Sequence, residues 1–260
     1  MSAALAARSI VITRPAGESQ RLAALIRDAG GVPLICPAIE ILDAPDLGAL
    51  DAVIDRLDDF DLAIFISPSA VDKAMTRITA RRTLPAKLRC AAIGPGGVRA
   101  LQRFGVSDVI APDAYARRYD SESLLASPFM QTVTGLRVVI FRGDGGRDLL
   151  GDTLATRGAQ VEHVTCYRRG KPTFDAAPLL RTWAQGGVAA VIVTSSEGLG
   201  NFYERLGAVG QGCMQKTPVV VPHPRIAAAA RALGLARVVE STAGDDALMQ
   251  TVLRHIDVSG

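Results

Sequence analysis

The sequence predicts an α/β protein made of two doubly wound units with parallel sheets. Three short segments recur at one constant spacing: residues 10–14 (IVITR) match 138–142 (VVIFR), 66–68 (ISP) match 194–196 (TSS), and 94–95 (GP) match 222–223 (PH). A constant spacing over so long a span indicates two structural copies. Near-continuous apolar runs, such as 63–66 (AIFI) and 190–193 (AVIV), alternate with helical patterns and fit parallel strands buried on both faces.

The first copy alternates strands with helices. Its strands are predicted at residues 9–13, 32–36, 62–66, 89–93 and 106–110. Between them, apolar residues recur at helical spacing, as in the series from Leu22 to Ala29, and glycines follow the last apolar residue. Ser67 and Pro68 are a favoured cap and first helical residue, and the turn 94–97 (GPGG) begins another helix. Residues 37–45, with a proline at each end, are predicted to form an extended connector.

The second copy repeats this order with its own residues. Its strands are predicted at residues 137–141, 160–165, 189–193, 219–221 and 237–240, and a matching connector covers residues 165–173. Each copy therefore predicts a five-stranded doubly wound unit. The repeat itself leaves two arrangements open. The halves are either contiguous domains, or they exchange their opening βαβ units through the two connectors.

Composition excludes several function classes. With 260 residues and 48% apolar content, the chain is long enough for two domains of ordinary size. The net charge is +3, the arginines are scattered and aromatic residues make up 5%, which argues against a nucleic-acid surface but leaves room for a small anionic ligand. A signal peptide and a long apolar run are both missing, so we expect a cytoplasmic protein that does not enter a membrane. The four cysteines show neither a CxxC pair nor zinc spacing, so we expect reduced structural thiols: Cys36, Cys90, Cys166 and Cys213.

The turns that follow the strands are the candidate ligand site. Because all strands of a parallel sheet end at one edge, these turns should rim the mouths of the two units, and facing mouths would form a cleft. Helix N-termini and arginines there suit a ligand with many carboxylates or phosphates. Competing interpretations are surface ion pairs for the arginines, caps for the serines and an exposed loop position for the histidine. The candidates are Arg14, Ser67, Ser69, Gly94, Gly96, Gly97, Arg142, Gly143, Arg147, Ser195, Ser196, His223 and Arg225.

Motifs for other chemistries are missing. Residues 143–148 (GDGGRD) begin like the dinucleotide-binding GxGxxG pattern but have Asp148 at the position of the last glycine. The sequence contains neither a Walker A pattern nor a GxSxG elbow. No combination of residues indicates a strong general base, a metal site or a covalent intermediate. We therefore expect a protein that acts mainly by holding its ligand, with no cofactor and no metal.

Seven short motifs follow one another along the chain, and their order and spacing matter more than any one of them alone. They are RP at 14–15, PxxxI at 37–41, FxSPSAV at 65–71, IGPGG at 93–97, FRGDGGRDLL at 141–150, LxxxGxxVxxxxxY at 154–167 and TSSEGL at 194–199. Together they resemble the uroporphyrinogen-III synthase family, and the resemblance extends from Ile10 to Leu253. It implies two flavodoxin-like domains joined by a two-stranded antiparallel connector: residues 1–37 with 170–260, and residues 41–165. One domain would contain both chain ends, which favours exchange.

The resemblance also implies a reaction. The family is a lyase family of porphyrin and haem biosynthesis that closes the linear tetrapyrrole hydroxymethylbilane into uroporphyrinogen III, with inversion of ring D, loss of water and no cofactor. Ionisation of the hydroxymethyl group gives an azafulvenium cation, and attack at the substituted ring carbon gives a spiro intermediate. Tyr167 matches the family's candidate proton donor, and its alternative role is to anchor the connector. A monomer with transient contact with hydroxymethylbilane synthase is expected.

Two positions depart from the family's pattern. Residues 222–225 (PHPR) stand where a turn with glycine and threonine is common, and Ser196 stands where proline is common. Two other classes stay open. One is a non-catalytic two-lobed binding module of the periplasmic-binding type, against which the missing signal peptide counts. The other is a two-lobed nucleotide-sugar transferase, which the missing nucleotide motifs disfavour.

Overall fold

The computed structural model describes residues 5–113, 119–145, 148–172 and 174–256. The strands are β1 (Ser9–Ile12), β2 (Val32–Ile35), β3 (Glu40–Asp43), β4 (Leu62–Phe65), β5 (Arg89–Ala92), β6 (Val109–Ile110), β7 (Arg137–Gly143), β8 (Gln160–Gly170), β9 (Val188–Ile192), β10 (Val219–Val221) and β11 (Val238–Glu240). The α-helices are α1 (Gln20–Asp28), α2 (Leu47–Asp55), α3 (Pro68–Thr79), α4 (Pro95–Arg103), α5 (Ser121–Leu125), α6 (Leu149–Thr156), α7 (Ala177–Ala184), α8 (Ser196–Lys216), α9 (Pro224–Ala232) and α10 (Asp245–His255).

Contacts within the chain divide it into two compact units. The first unit comprises residues 1–40 and 170–260, and the second comprises residues 41–169. One sheet has the strand order β2-β1-β9-β10-β11, and the other has the order β3-β8-β7-β4-β5-β6. Among the described residues, the strand pairs with a defined register, which do not include β3 with β8, are parallel. The predicted α/β class with parallel sheets is confirmed.

The sheet order shows how the two sequence copies combine. Strands β1 and β2 open the first copy, yet β1 pairs with β9 of the second copy. Strands β7 and β8 open the second copy, and β7 pairs with β4 of the first. The opening βαβ units are therefore exchanged. Numbered within its own unit, the first sheet has the order 2-1-3-4-5, which is the flavodoxin type of doubly wound sheet.

The prediction of five strands in each sheet was wrong for one of them. Strand β3 lies inside the segment that was predicted as a connector, and it is the sheet neighbour of β8. Strand β8 in turn continues to Gly170 instead of ending at residue 165. The physical reason is backbone pairing, because two extended segments that lie side by side satisfy each other's N–H and C=O groups.

Both faces of each sheet are covered by apolar side chains. Strands β1, β4 and β9 are buried along their whole length. In the first unit, one cluster packs around Phe202 and Trp183 and another around Ile12 and Leu22. The second unit likewise has two clusters, one of which contains the stacked rings of Phe65 and Phe141 at a centroid distance of 4.9 Å. Rigid sheets thus position the turns at the strand ends.

Several elements were not predicted. Helices α2, α5, α7 and α10 lie in segments to which the sequence analysis assigned no structure. Strand β6 is shorter than predicted, since it begins at Val109 after two exposed polar residues. Helix α8 is interrupted at Gly207, whose φ of 60° favours glycine. Within the described part of the chain, the helices are too short or too polar to cross a membrane.

Candidate functional site

Three predicted site residues cap helices at strand ends. The Ser67 hydroxyl oxygen accepts a hydrogen bond from the Ala70 N–H at 3.0 Å, and the Ser195 hydroxyl oxygen accepts one from the Gly198 N–H at 3.0 Å. At the start of α9, Nδ1 of His223 accepts from the N–H of Arg225 at 3.0 Å. Each side chain therefore accepts a hydrogen bond from a backbone N–H in the first turn that has no partner within the helix, which is the role of an N-cap residue.

Tyr167 forms the most specific side-chain contact at these strand ends. Its hydroxyl oxygen lies 3.1 Å from the hydroxyl oxygen of Ser67. The residue is 1% exposed and belongs to the core of the second unit. Ser67, by contrast, is partly exposed. The buried phenol of Tyr167 thus contacts a partly exposed hydroxyl, that of the N-cap residue Ser67 of α3.

A β-bulge places Tyr167 in this position. Strands β7 and β8 pair Arg142 with Thr165, but the next pair joins Gly143 to Tyr167, so Cys166 is the extra residue. Cys166 and Tyr167 are both buried, and the extra residue turns Tyr167 to the opposite face of the sheet from the one that an unbroken alternation would give it. A Cβ atom on Gly143 would lie 2.6 Å from the Tyr167 ring. Glycine is therefore what allows the ring to lie across the end of β7.

The loop after β7 is held against the end of β8. The Asp144 N–H donates to the Tyr167 carbonyl oxygen at 2.9 Å, and the Asp144 carboxylate accepts from the Arg169 N–H at 2.9 Å. Arg142 pairs with Asp148 at 2.6 Å and donates to the Gly145 carbonyl oxygen at 2.9 Å. The hydrogen bond from Arg142 and the charge of its guanidinium hold the pKa of Asp148 below its usual value. Arg147 lies outside the described residues.

Arg14, at the end of β1, is in an ion pair. Its guanidinium lies 2.6 Å from the carboxylate of Asp245, with side chains 15% and 6% exposed respectively. The neighbouring Arg21 lies 3.8 Å from Asp245 and 2.6 Å from Asp246. The buried carboxylate of Asp245 therefore fixes the orientation of Arg14 and offsets part of its charge. The guanidinium group of Arg14 has further N–H donors besides the one that binds Asp245.

The glycines at the start of α4 provide close packing. A Cβ on Gly94 would lie 2.8 Å from the Tyr119 side chain, one on Gly96 would lie 3.0 Å from Pro68, and one on Gly97 would lie 3.0 Å from Ala92. These positions leave little room for a side chain. Packing alone therefore requires small residues here, whether or not a ligand approaches the backbone.

The remaining predicted residues lie in different surroundings. Ser69, in the first turn of α3, is buried with 6% exposure. The Ser196 hydroxyl oxygen is also buried and has no hydrogen-bond partner among the described residues. Arg225 is exposed at the start of α9. The structure thus brings Tyr167, Ser67 and Gly143 together, whereas Ser69, Ser196 and Arg225 lie in the first turns of α3, α8 and α9.

Metal and thiol chemistry find little support in the described residues. Among them, no group of three or more His, Cys, Asp and Glu side chains is placed to hold a metal ion. Burial raises the pKa of Cys36 and of Cys90 to about 11 and that of Cys166 to about 12. The last thiol donates to the Arg142 carbonyl oxygen at 3.2 Å. Such thiols stay protonated at neutral pH, so they are structural groups rather than nucleophiles.

Comparison with known proteins decides the family. The family model described as "Uroporphyrinogen-III synthase HemD" matches residues 20–250. The chain belongs to the uroporphyrinogen-III synthase family. Uroporphyrinogen-III synthase of Salmonella typhimurium is 33% identical over 247 residues, which cover 94% of this chain and 99% of the relative. The Escherichia coli protein of the same name is 32% identical with the same coverage.

Solved structures of uroporphyrinogen-III synthases share the fold. A mutant enzyme from Thermus thermophilus matches with a TM-score of 0.57 and 20% identity, covering 95% of this chain and 98% of that one. The Helicobacter pylori structure matches with a TM-score of 0.58 and 14% identity, covering 95% and 99%. The predicted family and its place in porphyrin biosynthesis are thus confirmed.

Sequence reasoning missed two acidic residues of this uroporphyrinogen-III synthase family member. Asp144 joins the ends of β7 and β8, and Asp245 fixes Arg14 from the start of α10. Asp144 lies within the loop that the motif search singled out, so a signal was present. Asp245 follows Gly244 at a helix start, which is a weak signal, and its partner is far away in the sequence.

Proposed function

We propose that this chain is a uroporphyrinogen-III synthase, a lyase that converts hydroxymethylbilane into uroporphyrinogen III with inversion of ring D and loss of water. The observation that carries the proposal is the match to the family over nearly the whole chain. The hydrogen bond between the buried Tyr167 phenol and Ser67, the N-cap residue at a strand end, supports it, since the reaction needs a positioned proton source.

The substrate is a polycarboxylate, and the proposed binding groups suit it. Arg14 and Arg142 are each oriented by an acidic partner and keep N–H donors for a second carboxylate. The helices that start at Ser67, Gly94, Ser195 and His223 add the positive ends of their dipoles. Arg147, Gly143, Ser196 and Arg225 belong to the same turns and complete the proposed set.

Catalysis is then mainly a matter of orientation. The hydroxymethyl group ionises readily because the pyrrole nitrogen stabilises the azafulvenium cation, so the protein has to supply a proton and a shape. Unassisted closure gives the isomer without inversion. The protein holds the two ends of the linear tetrapyrrole so that attack occurs at the substituted carbon, and this leads through the spiro intermediate to the inverted product. Tyr167 is the proposed proton source, because its phenol carries an O–H group that can donate a hydrogen bond to the departing hydroxyl.

The domain organisation is part of this proposal. The two compact units are the two flavodoxin-like domains, and β3 with the end of β8 forms a two-stranded antiparallel connector between them. Ligand binding by two such lobes requires no second copy of the chain, so we expect a monomer. Transient contact with hydroxymethylbilane synthase would shorten the time that the reactive substrate spends in water.

The test supplies freshly made hydroxymethylbilane to the purified protein and separates the porphyrin isomers after oxidation. A synthase gives type III product at a rate proportional to enzyme concentration, whereas buffer and heat-inactivated protein give type I. Type I product alone, together with saturable binding of the tetrapyrrole, would indicate the alternative, a non-catalytic two-lobed binding module.

A further inference from the structure

The geometry points to Ser67 as the group that gives the proton to the departing hydroxyl, with Tyr167 behind it as the proton source. This inference rests on the proposed function and adds a second step to it. Tyr167 is 1% exposed, so its phenol lies in the core of the second unit. Ser67 is partly exposed and lies 3.1 Å from the phenol, so its hydroxyl is the member of the pair that a ligand can reach.

The direction of the hydrogen bond follows from the partners of each oxygen. Among the described residues, the Tyr167 hydroxyl has Ser67 as its single hydrogen-bond partner. If Ser67 donated to Tyr167, the buried phenolic O–H would be left without an acceptor among the described residues, which is unfavourable for a buried donor. Tyr167 therefore donates its proton to the Ser67 oxygen.

Counting lone pairs then fixes the Ser67 proton. A serine hydroxyl has two acceptor positions and one donor. The Ala70 N–H occupies one acceptor position at 3.0 Å, and the Tyr167 O–H occupies the other at 3.1 Å. The Ser67 O–H is consequently left to donate to a third group, on the side that the core does not cover. An N-cap without a phenol behind it would lack this polarisation.

The step balances without any further reactant. The C–O bond of the hydroxymethyl group breaks with its electron pair on oxygen, and the oxygen takes the Ser67 proton and leaves as water. Ser67 takes the Tyr167 proton at the same time, so the negative charge resides on the phenolate and the positive charge on the azafulvenium. When the cyclised ring carbon loses its proton, the same two oxygens carry that proton back to Tyr167.

The surroundings hold the two oxygens in this arrangement. The β-bulge at Cys166 directs Tyr167 inward, Gly143 leaves space for its ring, and Asp144 binds its carbonyl oxygen. Ser67 is fixed from the other side because it starts α3. Both donors are therefore preorganised before a ligand arrives, which is what efficient proton transfer requires.

Variants of Ser67 and Tyr167 test the inference. Asn caps a helix as well as Ser does and its side-chain oxygen accepts both hydrogen bonds, but its amide has no proton that it can transfer. We expect S67N to lower kcat by about 10²-fold, at the low end of general acid catalysis, with little change in KM. Y167F should have a similar effect. S67T keeps the cap and the proton and should raise kcat by about tenfold or more above S67N.

The double variant S67N/Y167F decides between a relay and two independent groups. If Tyr167 acts through Ser67, removing the phenol from S67N has no further effect on kcat. Circular dichroism and the urea midpoint show whether each variant is folded. Wild-type turnover in S67N, an inactive S67T in the folded state, or losses that multiply in the double variant would each overturn the relay while type III synthesis by the wild type stands. Type I product from the wild type would instead overturn the proposed function, and the relay with it.

Discussion

Replacing Gly143 with alanine should destabilise the second unit and slow turnover together. The added Cβ would lie 2.6 and 2.7 Å from two carbons of the Tyr167 ring and 3.0 Å from its hydroxyl oxygen. Ordinary carbon contacts lie at about 3.5–4.0 Å, so the ring must move by about 1 Å. Gly143 does not have a positive φ, so the cost comes from packing and not from backbone strain.

The size of the effect follows from three contributions. Inserting a methyl group into a packed core costs about 1–3 kcal/mol. A ring that moves by about 1 Å stretches the 3.1 Å contact with Ser67 beyond hydrogen-bond range, which costs a further 0.5–1.5 kcal/mol or so. The lower entropy of the unfolded alanine chain offsets about 0.4–1 kcal/mol. Together these contributions predict a net loss of about 0.5–4 kcal/mol in the free energy of unfolding.

The assay is urea unfolding followed by circular dichroism, with kcat measured on the same preparations. Gly200→Ala is the matched control, because Gly200 lies in α8 and a Cβ there meets nothing within 4 Å. That variant should gain about 0.5–1 kcal/mol from helix propensity. A G143A protein with wild-type stability and wild-type kcat would refute the claim that Gly143 makes room for the Tyr167 ring.

Three further predictions concern charge, a buried hydrogen bond and pH. R14A and R142A should each raise KM for hydroxymethylbilane by about tenfold at low salt and less at high salt, because the proposed contacts are ionic. An unchanged KM at low salt would exclude substrate contact. T217V should lower the free energy of unfolding by about 1–3 kcal/mol, because it removes the hydroxyl oxygen that lies 3.0 Å from the indole N–H of Trp183. Trp183 is the single tryptophan, so its fluorescence follows the unfolding. T182V is the control, because Thr182 is partly exposed. The ring of His163 is partly desolvated although the residue is exposed, and this desolvation and, secondarily, the charge of Arg142 lower its pKa in the folded state. Stability should therefore fall as pH decreases through the unfolded value of about 6.5. H163Q should show a smaller fall in the urea midpoint between neutral and mildly acidic pH.

The strands were predictable because buried parallel strands leave a strong local signal. Most of the predicted strands lie within a residue or two of the observed ones, since an apolar run flanked by Gly, Pro or Ser specifies both the strand and the turn after it. Helix α2 shows a signal that was overlooked, because Leu50, Val53 and Ile54 have helical spacing and are buried. Helix α7 buries Leu179 and Trp183 alone, so its apolar stripe is too short to be distinctive.

Pairing between distant segments explains what sequence could not predict. Residues 40–43 become a strand because β8 continues alongside them, and neither segment has an unusual composition. The same holds for the candidate site. The turns were predicted from Ser-Pro and Gly-Pro, but Ser67 and Tyr167 are 100 residues apart and meet through the pairing of β4, β7 and β8. The bulge that directs Tyr167 inward is a register shift between β7 and β8, which depends on how the two strands pair and is not visible in the sequence of either one.

The duplication itself indicates why proton chemistry is assigned to one unit. The spacing that matches Ser67 with Ser195 matches Tyr167 with Ile39. In the first unit, Ser195 caps α8 as Ser67 caps α3, and the Ile39 side chain lies close enough to that helix start to be 3.6 Å from a Cβ placed on Gly198. The two helix starts are thus built alike, but the side chain that corresponds to Tyr167 is Ile39, a hydrocarbon that cannot polarise the Ser195 hydroxyl. Both serines begin helices whose N-termini suit anions, so the phenol beside Ser67 is the difference between the two turns on which the proposed proton relay rests.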